Sequence, residues 1–319
     1  MKNNKKQRSK KVKLIVIIAF LLLLTGCTKQ LKDGKEVITN EETGQSLTAN
    51  ILCQPTDEQL YETYLKYDDK LQVSLEDLPT CKSFTPKKLK YQSLWETVFI
   101  KPLGYIILKL GYFLKNMGIS VMIVGLAIRI IMMPIQVKSV MQSENMKKMQ
   151  PEIEKIERKY KNKTDNDSLM MKSQETMMLY KKYNINPVSG CVMAFIQLPL
   201  FFAFLEAINR IPAIFEGTFL TMNLGMTPSY GIAHHNYIYI ALIVLIIVTT
   251  FLSFTMTMKQ QESNSEMAQQ MKMMSIMMIF MVSIASLSLP TAIALYWIVM
   301  NGFAVIQQFI IKKIIEKRI

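Results

Sequence analysis

The chain is poor in the residues from which catalytic and metal centres are built. Its two histidines, His234 and His235, stand side by side with no metal-ligand spacing around them. No serine or cysteine has a base at an interpretable distance along the chain. The apolar segments lack the paired carboxylates that an intramembrane protease or a proton-coupled carrier uses. A glycine-rich loop that would cradle a nucleotide's phosphates is also missing. These absences describe a non-enzyme with no catalytic residues, no cofactor and no metal. Acid is scarce as well: 38 Lys and Arg stand against 24 Asp and Glu, a net charge of +14. A soluble domain so basic would suggest nucleic acid. Half of the residues are hydrophobic, however, and no nucleic-acid recognition motif is present. The basic residues sit at the ends of apolar runs, where they act as topology determinants or meet the headgroups of a lipid bilayer.

What the chain has is apolar length. Met117 to Val137 runs for 21 residues with a single charge, Arg129, and a run this long reads as a membrane-spanning helix. A guanidinium near its middle costs at least ~2.5–3.5 kcal/mol on insertion scales. No acid occurs within 14 positions, so no partner lies on its own helix. One reading is an arginine that snorkels to the nearer interface. Helix rise, though, leaves it roughly 10 Å from the end of the segment, more than the side chain comfortably spans. Helical side chains also lean toward their own N-terminus, here away from the cytoplasm. A water-filled position facing a polar substrate is the preferred reading.

The chain opens with seven positive charges and no acid between Lys2 and Lys13, then an apolar core from Leu14 to Leu24, then Leu24-Thr25-Gly26-Cys27. The core is too short to span a bilayer with margin, as in a signal peptide. Small residues before a cysteine resemble a bacterial lipobox, so residues 1–26 are expected to be removed and Cys27 to carry lipid on its sulfur. The other reading is an uncleaved anchor with an incidental cysteine. Cys191 lies in an apolar helix as a small packing residue. Cys53 and Cys81 flank one polar, exported stretch in which a disulfide is chemically permitted.

That stretch, 27–93, has nine basic and eleven acidic residues after Cys27 and the composition of a small or partly disordered outer segment. Residues 94–116 suit an amphipathic helix in the interface, with Trp95, Tyr105 and Tyr112 at headgroup depth. A complete extra span is the alternative, and Lys101, Lys109 and Lys115 argue against it. After the span 117–137, residues 138–184 read as a charged helical hairpin. Its first arm carries the stripe Met141, Met149, Ile153, Ile156, Tyr160, and its second Leu169, Met170, Met177, Tyr183. This stripe is either plain packing or an adaptable contact surface. Further spans are 187–211, 237–258, 271–289 and 290–311, with an outer loop at 212–236, a cytoplasmic loop at 259–270 and a basic tail at 312–319. The hairpin carries eleven Lys or Arg, the tail four and the outer loop none, which puts hairpin and tail in the cytoplasm. Five spans after an exported N-terminus give the same orientation.

Within the spans, Gln197 and Gln307 are polar groups that need partners in hydrocarbon. Trp297 and Asn301 share the last helix. Pro134 and Pro199 remove backbone donors and are expected to kink their helices. Glu206 and Arg210, four apart, read as a local ion pair.

The series Arg129-Ile-Ile-Met-Met-Pro134, Gln150-Pro-Glu-Ile153, Asn186-Pro-Val-Ser-Gly-Cys191, Ile196-Gln-Leu-Pro199 and Leu295-Tyr-Trp-Ile298 resembles, in order, the YidC membrane protein insertases. The likeness is to the lipobox-bearing, five-span form of Gram-positive bacteria and covers roughly Leu94 to Lys317. The resemblance implies an all-α membrane protein of the bacterial cell membrane, its five helices around a hydrophilic groove open to the cytoplasm and to lipid. It implies that Arg129, Gln197 and Trp297 line that groove, and that the hairpin receives nascent chains. It further implies work on nascent membrane proteins, alone or with the ribosome and the Sec translocase as partners. An anion transporter using Arg129 is a competing reading, weakened by the lack of an inverted repeat. A membrane chaperone or scaffold without insertion activity is another.

Overall fold

The computed structural model describes residues 28–183, 185, 189–259 and 266–316. Cys27 and the expected signal peptide lie outside the described residues, as do residues 260–265 of the loop 259–270 and the last residues of the tail. In chain order the elements are β1 (Lys32–Asp33), β2 (Glu36–Val37), α1 (Glu58–Lys66), a π-helical turn (Glu96–Ile100), α2 (Lys101–Leu114), α3 (Met117–Ile131), α4 (Met133–Tyr160) and α5 (Asn166–Lys182). There follow α6 (Ser189–Asn209), α7 (Pro212–Phe215), β3 (Thr218–Phe219), β4 (Met222–Asn223), α8 (Pro228–Ala233), α9 (Ile238–Lys259), α10 (Glu266–Ala285) and α11 (Thr291–Glu316). Among the described residues three helices are long and apolar enough to cross a membrane: Glu96–Leu114, Ile238–Met256 and Thr291–Ile315. Counting the bent pair α3 and α4 as one span makes four. The described apolar parts of α6 and α10, Pro199–Asn209 and Ser275–Ala285, are shorter. Two compact units divide the chain.

The first unit comprises residues up to Gly125, Gln197–Ile240 and Ser288–Tyr296. Its polar stretch is folded rather than disordered. Leu31, Leu47, Ala49, Ile51, Leu60, Tyr64, Leu75 and Leu78 form a core, each fully buried aliphatic side chain contributing ~1.5–3 kcal/mol. Asp57 caps α1 by accepting from Leu60 N–H at 2.8 Å. Asp68 accepts from Leu75 N–H at 2.6 Å and from Ser74 Oγ at 2.8 Å, holding the chain against that helix. Burial raises the Tyr64 hydroxyl pKa. Cys53 and Cys81 are joined by a disulfide across 28 positions. The loop 212–236 folds onto this stretch: Glu216 accepts from Thr56 N–H at 2.7 Å, and Thr227 N–H donates to Thr43 O at 3.0 Å.

Helix α2 buries Ile107 and Leu108 and leaves Ile106 and Phe113 exposed, the two faces of an amphipathic helix. Lys101 is not one of its solvated lysines. It is 1% exposed, pairs with Glu96 at 3.1 Å and donates to Lys90 O at 2.9 Å. One of the three charges that argued for an interfacial position is therefore satisfied inside the protein. Gly111 lets α2 and α3 approach, since a Cβ there would lie 2.2 Å from Met117 Sδ.

Glu206 and Arg210 do pair, at 3.2 Å, but within a larger set. Arg210 Nη2 reaches Glu96 at 2.7 Å, Arg210 Nε donates to Asn50 O at 2.5 Å, and Trp95 Nε1 donates to Glu206 at 2.9 Å. None of the four charged residues is more than 5% exposed. Such a dry set holds only because each charge has a counter-charge and further hydrogen bonds.

The second unit comprises Leu126–Ile196, Ala241–Leu287 and Trp297 onward. The span expected over 117–137 is not one straight helix. It breaks at Met132, and α4 leaves at 54°, so residues 133–137 belong to the first arm of the hairpin. Pro134, in the first turn of α4, cannot continue the hydrogen-bond ladder of α3 and is tolerated where a helix starts.

Helices α4 and α5 form the hairpin around Met149, Leu179, Tyr180 and Ile185, with Ile153 and Ile156 against them. Ion pairs Lys182–Glu152 at 2.7 Å and Lys159–Glu175 at 2.5 Å join the arms. Both carboxyls are held below the usual range, first by the lysine that each contacts. The expected stripe on α5 is only partly a packing face: Leu169, Met170 and Met177 are exposed, as are Met171 and Met178. The pairing runs instead through Leu179 and Tyr180. Helix α9 exposes Val244, Val248 and Phe251, and α10 exposes Met277, Phe280 and Met281. Such apolar exteriors suit lipid rather than water.

Candidate functional site

Arg129 occupies the last turn of α3, within an apolar stretch whose bend follows three residues later. Its side chain is half-buried, and its Nε donates to Gln307 Oε1 at 3.0 Å. Gln307 belongs to α11 and is 1% exposed. A hydrogen bond to a charged group contributes ~1.5–3 kcal/mol, and a neutral amide orients a guanidinium without cancelling its charge. The other half of that amide, Nε2, is buried with no hydrogen-bond partner.

Trp297 lies roughly 15 Å up the same helix by its rise. Its Nε1 donates to Thr250 Oγ1 at 3.0 Å, and Asn301 Nδ2 donates to the same hydroxyl at 3.3 Å. The four-residue spacing of Trp297 and Asn301 sets both on one face of α11, and Thr250 on α9 is 1% exposed. Helix α11 thus carries two polar stations, Gln307 bonded to Arg129 of α3 and the Trp297–Asn301 pair bonded to Thr250 of α9. Gln197 belongs to α6, but its side chain lies outside the described residues.

Thr250 and the Arg129–Gln307 bond were not legible beforehand. Threonine in an uncharged run usually bonds back to its own helix, and nothing in the spacing links positions 129 and 307. Among the described residues no group of three or more His, Cys, Asp or Glu could hold a metal.

The model of the family described as "60Kd inner membrane protein" matches residues 109–318. A relative named "Membrane protein insertase YidC" from Oceanobacillus iheyensis is 34% identical over 221 residues, 69% of this chain and 84% of that one. The chain belongs to the YidC family. "Membrane protein insertase YidC 1" of Bacillus anthracis is 32% identical over 243 residues, 75% of this YidC-family chain and 90% of its own. "Membrane protein insertase MisCA" of Bacillus subtilis is 32% identical over 181 residues, 57% of this chain and 64% of its own. The solved structure titled "Active YidC insertase crystal structure with the first transmembrane domain resolved" superposes with a TM-score of 0.49 at 24% identity, over 68% of this chain and 47% of that chain. With its apolar helices, this YidC-family chain is a multi-pass membrane protein. The family match begins at residue 109, after the disulfide-closed stretch. Arg129, Trp297 and Gln307 all fall within the match.

Proposed function

We propose that this chain is a membrane protein insertase that draws the acidic outer tails of nascent membrane proteins toward Arg129. The observation that carries the reading is a permanently charged guanidinium in an apolar segment, half-buried and hydrogen-bonded to a neutral glutamine. In the proposed topology five spans enclose a wet groove open to the cytoplasm, lined by Arg129, Gln197 and Trp297. The hairpin and C-terminus are cytoplasmic, and lipid on Cys27 anchors an outer N-terminus. The positive charge attracts an acidic tail into the groove. Partial entry shortens the distance over which the tail's polar groups go unhydrated. The apolar segment then moves into lipid, whose solvation supplies the driving force. The ribosome and the Sec translocase are the partners this scheme calls for when the substrate is still being made.

In cells depleted of the native insertase, Arg129→Ala is expected to block insertion of single-span substrates with acidic tails, and Arg129→Lys to be tolerated better. Unimpaired insertion by Arg129→Ala would end this mechanism. The exposed methionines of α5 favour a second reading, a chaperone that holds client helices without inserting them. Crosslinks from Trp297 to a stalled nascent membrane protein would favour insertion over holding.

A further inference from the structure

The first unit contains a cavity of about 710 Å³ bounded by the stretch 28–48, Trp95, the last turns of α6 and the residues just before α11, within the range of ~300–1,000 Å³ that ligand sites occupy. Its lining is of two kinds. Trp95, Phe202, Leu205, Leu289 and Pro290 offer hydrocarbon and ring faces. The Trp95 indole N–H is already committed to Glu206, and Glu206 to Arg210, so this part of the wall asks for no polar partner. The other part offers the hydroxyls of Thr28, Ser46 and Thr48 and the amides of Gln30 and Asn209, donors suited to an ester carbonyl.

Thr28, Gln30 and Lys32, close in sequence, all line this cavity. Lys29 N–H donates to Asn50 Oδ1 at 3.1 Å, Ala49 N–H to Lys29 O at 2.7 Å, and Leu31 N–H to Leu47 O at 2.8 Å. These bonds hold Lys29 to Leu31 beside Thr28 at the rim, and the residue that precedes Thr28 in the sequence lies outside the described residues. That preceding residue is Cys27, whose sulfur the lipobox pattern marks for lipid.

We propose that this cavity binds an acyl chain of the lipid attached to Cys27, with the hydroxyl-bearing wall meeting the chain's ester and the Trp95–Phe202–Leu205–Leu289 wall meeting its methylenes. The anchor is then held by the protein as well as by the bilayer, and the outer stretch is tied to α6 at the point where its lipid begins. The proposal rests on the lipoprotein reading of Cys27, which stands if the cavity assignment alone fails.

The test feeds cells a diazirine-bearing palmitate analogue while they express the full chain, irradiates them and maps crosslinked peptides by mass spectrometry. The mass of the N-terminal peptide first reports whether Cys27 carries lipid; an unmodified cysteine overturns both readings at once. With Cys27 lipidated, crosslinks are expected on the peptides containing Phe202, Leu205 or Leu289, and they are expected to be lost in Cys27→Ser. Lipidated Cys27 without those crosslinks would overturn the cavity assignment alone. Crosslinks that persist in Cys27→Ser would overturn it too, by showing a free membrane lipid as the occupant.

Discussion

A carboxylate placed where Gln307 stands separates charge from shape at the candidate site. Gln307 Oε1 lies 3.0 Å from Arg129 Nε, and the residue is 1% exposed. Gln307→Glu keeps the outline of the side chain and sets an anion against the guanidinium. Two unit charges ~4 Å apart attract by about 4 kcal/mol at an effective dielectric of ~20. On the proposed mechanism that is also the scale of attraction between Arg129 and an arriving acidic tail. In the variant the tail meets a pair with no net charge. If only half of the attraction is lost, about 2 kcal/mol at 1.36 kcal/mol per decade lowers tail capture roughly 30-fold. Gln307→Leu is the control. It removes an acceptor contributing ~1.5–3 kcal/mol, but also a buried orphan N–H costing ~1–3 kcal/mol, so stability changes little and the charge stays. Insertion is read in proteoliposomes by protease protection, with one single-span substrate carrying either an acidic or a neutral tail. Gln307→Glu is expected to depress the acidic-tailed substrate alone, and Gln307→Leu to cost only a few-fold. Wild-type insertion of the acidic-tailed substrate by folded Gln307→Glu protein would refute a charge-driven step.

Arg210→Met strands Glu96 and Glu206 with Lys101 as their remaining charged partner in the set, and breaking a buried pair in this way costs about 3–5 kcal/mol; thermal unfolding of the purified full chain in lipid nanodiscs reports it as a lowered Tm. Paired Cys53→Ser and Cys81→Ser substitutions remove a closure of 28 positions and are expected to cost ~3–4 kcal/mol in the chain-entropy model, read as earlier proteolysis of the outer stretch. At the hairpin, the lowered carboxyls of Glu152 and Glu175 give stability that is present above the unfolded glutamate pKa of ~4.3 and lost as pH falls through the folded values. The raised ammonium pKa values of Lys182 and Lys159 give stability present below ~10.4 and lost above their folded values. Hydrogen exchange of α4 and α5, corrected for intrinsic rates, is therefore expected to be level from about pH 5 to 10 and to quicken below about pH 4.

Arg129 was legible because one charge in 21 apolar residues has no periodic explanation. Its partner was not, since a contact spanning 178 positions leaves no trace in spacing. The pair Glu206–Arg210 showed itself through its helical interval, whereas Glu96 and Lys101 did not: a lysine amid apolar residues looks the same from sequence whether it snorkels or is buried against an acid. Pro134 announced a bend, but not that α4 would run on unbroken into the hairpin. The outer stretch looked marginal by composition because its eight core residues are scattered from Leu31 to Leu78 among charged neighbours. A closed disulfide and capped turns make so small a core sufficient. On α5 the methionine pattern was visible, but its direction depended on which face Leu179 and Tyr180 turned to α4.

Two acids and two bases meet around Arg210, and their charges sum to zero. Opposed charges this close cancel beyond a few ångström, so the assembly casts almost no field into its surroundings. That end of α6 can then sit among zwitterionic or anionic headgroups without gathering counterions. On the proposed mechanism, an acidic client tail drawn by charge would find nothing there to delay it.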